Sequence, residues 1–573
     1  MICCAQGCKF IFSGTGAPLT VRNEGTDGSS GFLPSDAVHA EFSRRPRAAD
    51  AAQEDLSAVV VSNASRHRLT RNVLVNYITM AVMLLLGFST TPLLIRFLGK
   101  ESYGVWSILS NVVVYLGLLD LGLSTTVSRR VAEYAGRNEA ERLRIALGTA
   151  TLSFLAQGAL VLLLTLFLIP GLDRLFAIPP EMLAPARWCL AILGLSVFAR
   201  FCLNIYTIIL VGAGRADLGS ALSGVINVCF ALCNVLLAAM GCGIIALGLN
   251  LLLLNIVLGL IARALAHRHL PGFHVMIGSA SLAVAREMLP AGLRSITISL
   301  SGHLAYGSDV LIIGFLMPLS SVTYYTIAVK LVGFVRELAC RPGTVFLPTF
   351  SLLYARGEQD RLFRLYTQSV TLSVALCLPF ALAFGFMGDR IVFAWMGAGH
   401  ELSATVLAWL GFWLTLALPG YVSLQIFTGT EKTLHVARLY PVSACLNVGL
   451  SVFLTRQIGL QGPAISSTCT ALVIDFLLLP YLACRTFGFS YRGYWGALRS
   501  QLALLGAGIG LCLLTRWSGL PPSRLVTLAW MAGFLTLCWG AWLSLGLDAR
   551  QRAVYLQPLY AKGARLLPFL RRT

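Results

Sequence analysis

Apolar runs of about twenty residues recur along this chain from Asn72 to Leu545, and only short polar breaks separate them. A hydrocarbon core of ~30 Å takes ~20 mostly apolar residues to cross as a helix. Lipid offers no partner to unpaired backbone groups, so each run must close its own hydrogen bonds as an α-helix. Fourteen runs meet this description. The pattern predicts an all-α polytopic membrane protein of about fourteen transmembrane helices.

The runs divide into two sets of six, over residues 66–270 and 291–485, joined by a cytoplasmic linker at 271–290. Two additional helices fall within 486–546, and a basic, amphipathic tail at 547–573 suits a segment lying against anionic lipid. Residues 1–65 are rich in Gly, Ser, Ala and charge without a sustained period, and read as a disordered cytoplasmic extension. An internal repeat supports the two six-helix lobes. INVCFALCNVLLAAMGCGIIALGLN from Ile226 is similar to LNVGLSVFLTRQIGLQGPAISSTCT from Leu446, with Asn227 aligned on Asn447. Membrane transporters are often built from such repeats, with the substrate site between them.

Composition agrees with the pattern. The chain is 57% hydrophobic and 12% charged, against the ~25% charged of soluble domains. Its net charge of +19 does not point to nucleic acid, because the Lys and Arg are scattered between spans rather than gathered on one face. Their distribution follows the positive-inside rule instead: with the amino terminus inside, eighteen fall in cytoplasmic loops and eight in outer ones. Both termini are therefore expected in the cytoplasm. All Cys except Cys3, Cys4 and Cys8 lie in or beside spans, as small apolar packing residues do. No zinc spacing, Walker loop, HExxH or GxSxG occurs, so no metal, cofactor or hydrolytic chemistry is indicated. No outer loop exceeds roughly twenty residues, which leaves a membrane glycosyltransferase or polymerase nowhere to hold an acceptor.

Ionisable groups at membrane depth are costly and are by default candidates for a functional site. Arg200 sits mid-span in LSVFARFCLNIY, and Ser196, Arg200, Asn204 and Thr207 share a narrow arc expected to face a wet cavity. In the eighth span Lys330, Glu337 and Arg341 lie within about 40° of one another. Glu337 is expected to neutralise Arg341 at i,i+4, leaving Lys330 as the surplus cation, with Arg336 pointing elsewhere. The seventh span adds His303, Tyr306 and Asp309. Asp309 reads either as a proton or cation site or as the counter-ion of Lys330 or Arg341. Asp120 and Asp475 read as structural, pairing with hydroxyl-rich neighbours such as Ser124 or capping a broken turn. Polar stripes in the fifth and eleventh spans, Asn227 and Asn234 in one and Ser443, Asn447 and Ser451 in the other, read as helix-to-helix hydrogen bonding.

PLLIRFLGKESYGVW from Pro92 and LGLLDLGLSTTVSRRVAEYAGR from Leu116 resemble the first helical hairpin of bacterial oligosaccharide flippases, the O-antigen (Wzx-type) and capsular polysaccharide exporters. These belong to the multidrug/oligosaccharidyl-lipid/polysaccharide exporter superfamily. YGSDVLIIGFL from Tyr306, followed by YYTIAVKLVG from Tyr324, resembles the start of the family's second lobe. The resemblance implies movement of an undecaprenyl-diphosphate-linked oligosaccharide across the bacterial inner membrane by alternating access, without enzymatic chemistry. It implies lipid-linked oligosaccharide and membrane lipids as partners, with a polysaccharide polymerase and assembly proteins as further candidates. Arg200, Lys330 and Arg341 then have the sign to hold a diphosphate, with Asn204 beside Arg200, and Asp309 and His303 are the candidates for ion coupling. A multidrug or cation antiporter of the same superfamily is the alternative; its cavity should be rich in carboxylates and poor in Arg. A scaffold for polysaccharide assembly without transport of its own is a third reading.

Overall fold

The computed structural model describes residues 85–120, 123–137, 139–269, 277–517 and 523–546. The expectations for residues 1–65 and for the tail at 547–573 lie outside the described residues, as do residues 271–276 of the linker at 271–290. Every regular element among the described residues is helical. In chain order these are α1 (Leu85–Leu98), α2 (Lys100–Gly117), α3 (Leu123–Gly136), α4 (Ala140–Leu168), α5 (Pro180–Gly212), α6 (Ala216–Ala239) and α7 (Gly243–His269). There follow α8 (Leu282–Gly307), α9 (Asp309–Leu316), α10 (Leu319–Ala339), α11 (Arg341–Ala355), α12 (Gln359–Met396) and α13 (Leu402–Gly429). Last come α14 (Leu434–Ile458), α15 (Gly462–Ala471), α16 (Leu479–Phe487), α17 (Tyr491–Leu498), α18 (Ser500–Trp517) and α19 (Arg524–Ala541).

The outer faces of these helices are apolar: Phe167 and Leu525 are each 81% exposed and Trp188 67%. Surface of this kind, on many of the described helices, is stable against hydrocarbon and not against water. Among the described residues ten helices are long and apolar enough to cross a membrane, or eleven if the bent pair at Thr297–Ala305 and Asp309–Leu316 is one span. The sequence pattern counts fourteen. Physical reasons for the difference can be named. Only Leu85–Leu98 of the first run is described. The eighth run breaks at Cys340 between α10 and α11 and carries Lys330, Arg336 and Glu337. The stretch Leu434–Phe487 counts as one apolar segment, yet it folds back at the turn Gly459–Gln461. A Cβ on Gly462 would collide with the backbone of Leu454 and Thr455, so only glycine permits this close return.

Two hydrophobic cores hold the helices together. The smaller is confined to residues 116–266, with Val131, Phe154, Phe201 and Ala266 among its members. The larger joins Tyr103, Ile108 and Leu109 of α2 to Ile313, Val322 and Tyr325 of α9 and α10, and continues to Cys538 and Trp542. The amino-terminal helices thus touch the carboxy-terminal ones through the first half of α2. Gly104 makes that contact close, since a Cβ there would lie 2.6 Å from the Leu319 carbonyl oxygen.

Candidate functional site

The chain bends by 49° between Ala305 and Asp309, and the break at Ser308 brings Asp309 into the interior at the start of α9. Asp309 is 4% exposed. A carboxylate buried so deeply is tolerated only if its oxygens are hydrogen-bonded. Three hydroxyls meet the need: Tyr325 donates to Oδ2 at 2.6 Å, Ser467 to Oδ2 at 3.3 Å and Ser451 to Oδ1 at 3.5 Å. The serines come from α14 and α15, which are tied to each other where Asn447 donates to Ser467 at 3.2 Å and Ser466 donates to the Asn447 carbonyl at 2.9 Å. Among the described residues Asp309 forms no ion pair with Lys330 or Arg341, so the counter-ion reading is replaced by this hydroxyl cage.

Asp309, Tyr325 and Ser467 form one wall of a cavity of about 420 Å³, and Lys330, Arg336 and Glu337 of α10 form another. Lys330 is accessible there. Arg336 does not point away as the helical angle predicts. It lies about 120° round α10 from Lys330, but α10 ends three residues later and the long side chain reaches the same space. Glu337 does pair with Arg341, at 3.3 Å, across the break between α10 and α11. The cavity's acids are therefore engaged, by the hydroxyls at Asp309 and by Arg341 at Glu337. Its cations are not: among the described residues neither Lys330 nor Arg336 makes a hydrogen bond or an ion pair.

The other candidates occupy separate places. In α5 the polar stripe is divided. Ser196 is fully buried and accepts from Asn255 at 2.8 Å. Asn204 donates to Ser124 at 2.9 Å, and Ser124 donates to Asp120 at 2.9 Å, the pairing the sequence predicts for Asp120. Arg200 is exposed and near enough to act electrostatically on Asp120, yet forms no ion pair among the described residues. Neither Arg200, Asn204 nor Arg341 lines the 420 Å³ cavity. His303 is exposed, with Nδ1 at 2.9 Å from the Ser299 carbonyl. Its own carbonyl accepts from Tyr115, and it does not join Asp309. The side chain of Tyr306 lies outside the described residues. Asn227 is exposed while Asn447 is fully buried, so the aligned asparagines have unlike surroundings. In the amino-terminal half it is Asn234 that bonds across helices, to Asn250 at 2.8 Å. Among the described residues no group of three His, Cys, Asp or Glu is placed to hold a metal ion.

Tyr325, Trp413 and Asn111 line the cavity without having been marked by the sequence. For Tyr325 the signal was the YYT run five residues before Lys330.

Comparison with known proteins agrees with this architecture. The MatE family profile matches residues 77–240. The membrane protein EpsK of Bacillus subtilis, whose role is uncharacterised, is 23% identical over 74% of this chain and 84% of its own length. A Shigella flexneri protein provisionally assigned as an O-antigen transporter is 21% identical over 73% of this chain and 98% of its own. Among solved structures, the lipid II flippase MurJ in an inward closed conformation superposes with a TM-score of 0.65 at 13% identity, covering 85% of this chain and all of that one. An inward-facing multidrug resistance MATE family transporter superposes with a TM-score of 0.58 at 17% identity, over 71% and 94%. The MatE profile matches only part of the amino-terminal half, and the two superpositions show that the chain has the fold shared by these membrane transporters.

Proposed function

We propose that this protein is a flippase of the bacterial inner membrane that carries an undecaprenyl-diphosphate-linked oligosaccharide from the inner to the outer leaflet. One observation carries the reading: the cavity holds two cations, Lys330 and Arg336, whose neighbouring acids are already engaged. A diphosphate in hydrocarbon needs such charges, and Arg has the planar fork that phosphate oxygens match. An antiporter of organic cations needs the reverse, free carboxylates and satisfied bases. The polyprenyl tail stays in lipid while the headgroup crosses between two six-helix lobes by alternating access. Arg200, on the separate Asp120–Ser124–Asn204 cluster, extends the positive path for an anionic sugar or diphosphate. Asp309 is the group through which a proton or cation gradient couples, because binding there competes with the Tyr325 hydrogen bond between α9 and α10. A polymerase and assembly proteins would receive the product.

The test is Lys330→Gln and Lys330→Arg in a strain whose surface polysaccharide depends on this protein. The reading expects loss of surface polysaccharide for Gln, retention for Arg, and wild-type membrane abundance for both. Full export by the Gln variant would refute it. Orientation follows the Lys and Arg bias. Reporter fusions at Gly399 and Leu545 should read outside and inside respectively.

A further inference from the structure

A second cavity, of about 390 Å³, lies between the end of α12 and the start of α13. α12 is 38 residues long and leaves helical geometry at Met387, with φ −136° and ψ 23°. The helix has by then run about 42 Å from Gln359 at 1.5 Å per residue, more than the ~30 Å of the hydrocarbon core. The break at Met387 therefore lies farther from the start of the helix than one hydrocarbon thickness. The segment beyond it is anchored, since Trp395 Nε1 donates to the Phe88 carbonyl at 2.7 Å and the two rings stack at 5.1 Å.

The walls of this cavity are of two kinds. Phe384 and Phe386 are apolar, while Asp389, Arg390 and Thr405 are polar. Gly388 and Ala404 close the floor, where a Cβ on Gly388 would lie 3.2 Å from the Ala404 carbonyl. Asp389 and Arg390 are adjacent and opposite in charge, yet among the described residues neither pairs with the other or with anything else. Beside the cavity Leu402 is 60% exposed, Phe412 40% and Trp409 37%, so it is continuous with the apolar surface that lipid covers.

We propose that this cavity binds the headgroup of an aminophospholipid in the adjoining leaflet. Arg390 takes the phosphate, Asp389 takes the ammonium, and the acyl chains lie along Phe412. A ligand with both charges satisfies both residues. Phosphatidylglycerol offers Asp389 only neutral hydroxyls and no balancing charge, and a trimethylated amine has no N–H to donate to it. The proposal rests on the cavity's own charges and is independent of the transported substrate.

Native mass spectrometry of the purified full chain tests it, with equimolar phosphatidylethanolamine, phosphatidylcholine and phosphatidylglycerol as probes. The wild type should retain phosphatidylethanolamine about fivefold over either competitor, the ratio one exposed charge pair supplies. Asp389→Asn should erase that preference, and Arg390→Gln should lower retention of all three lipids alike. Equal retention of the three lipids by the wild type overturns the proposal whether or not the variants fold. So does a preference that survives both substitutions.

Discussion

Lys100 donates from Nζ to the Gly399 carbonyl oxygen at 2.8 Å, across 299 residues of sequence. The same ammonium reaches the Tyr324 hydroxyl at 3.1 Å, and the Lys100 carbonyl accepts from Thr323 at 2.6 Å. One residue at the start of α2 thus ties α10 and the loop before α13 to the amino-terminal half, at the end where Gly104 packs on Leu319. A hydrogen bond to a charged group contributes ~1.5–3 kcal/mol when sheltered and less when exposed, as this one is. Lys100→Met keeps the stem and removes both bonds. It should shift the ensemble severalfold toward an opened end. Spin labels at Glu101 and Leu402 should then show a longer distance component by electron–electron resonance. An unchanged distribution would show that apolar packing alone closes this end.

His400 stands beside this tie and supplies a pH dependence. It is 8% exposed, its ring faces Tyr324 edge-on at 6.3 Å, and the Gly397 and Ala398 backbone lies against it. Burial first, and the Lys100 ammonium second, hold the imidazole below its ordinary value of 6.5; the Gly397 and Ala398 backbone and then Glu401 act in the other direction. A base whose value is depressed in the closed form binds protons more readily once released. The closed arrangement is therefore unaffected well above pH 6.5 and weakens as pH falls through that value. The label distance should lengthen on acidification in the wild type. His400→Gln should remove the pH response, and a variant that responds as the wild type does would assign the effect to another group.

Asp309 separates a chemical role from a structural one. Asp309→Asn preserves shape and can still accept from Tyr325, Ser451 or Ser467, whereas Asp309→Ala leaves a buried phenol hydroxyl and two serines without their acceptor. An orphaned buried polar group costs ~1–3 kcal/mol. The Ala variant should melt several degrees lower in detergent, and the Asn variant close to wild type. If Asp309 couples an ion, the Asn variant should nevertheless lose gradient-driven transport. Transport that survives in the Asn variant would leave Asp309 a structural hub.

What could be read in the sequence here was what lies within one helical turn or sums over many residues. Asp120 with Ser124 and Glu337 with Arg341 are i,i+4 pairs, and helical spacing places them on one face without knowledge of the fold. The span pattern likewise depends only on length and hydropathy. The partners of Asp309 lie 16, 142 and 158 residues away, on helices whose neighbours nothing local specifies. Ser451 and Asp309 were each recognised as polar groups in a span, and their meeting was not. Arg336 was misplaced for a related reason. A helical angle locates a Cβ, while an arginine head at a helix end is free to turn back into a cavity.

Arg200 bears directly on whether the amino-terminal cluster serves a ligand or the fold. It is exposed on α5, one turn before Asn204, whose amide is already engaged by Ser124. Were it a structural counter-ion, a close contact with Asp120 would be expected; instead the two interact only at a distance and form no ion pair. Arg200→Ala should therefore leave membrane abundance near wild type and abolish surface polysaccharide. Arg200→Lys keeps the charge, loses the planar fork and should retain partial export. Measuring abundance and polysaccharide in the same cells distinguishes the cases. An Ala variant that is degraded would place Arg200 in the fold. An Ala variant with full export would remove it from the substrate path and leave Lys330 and Arg336 to carry the anion.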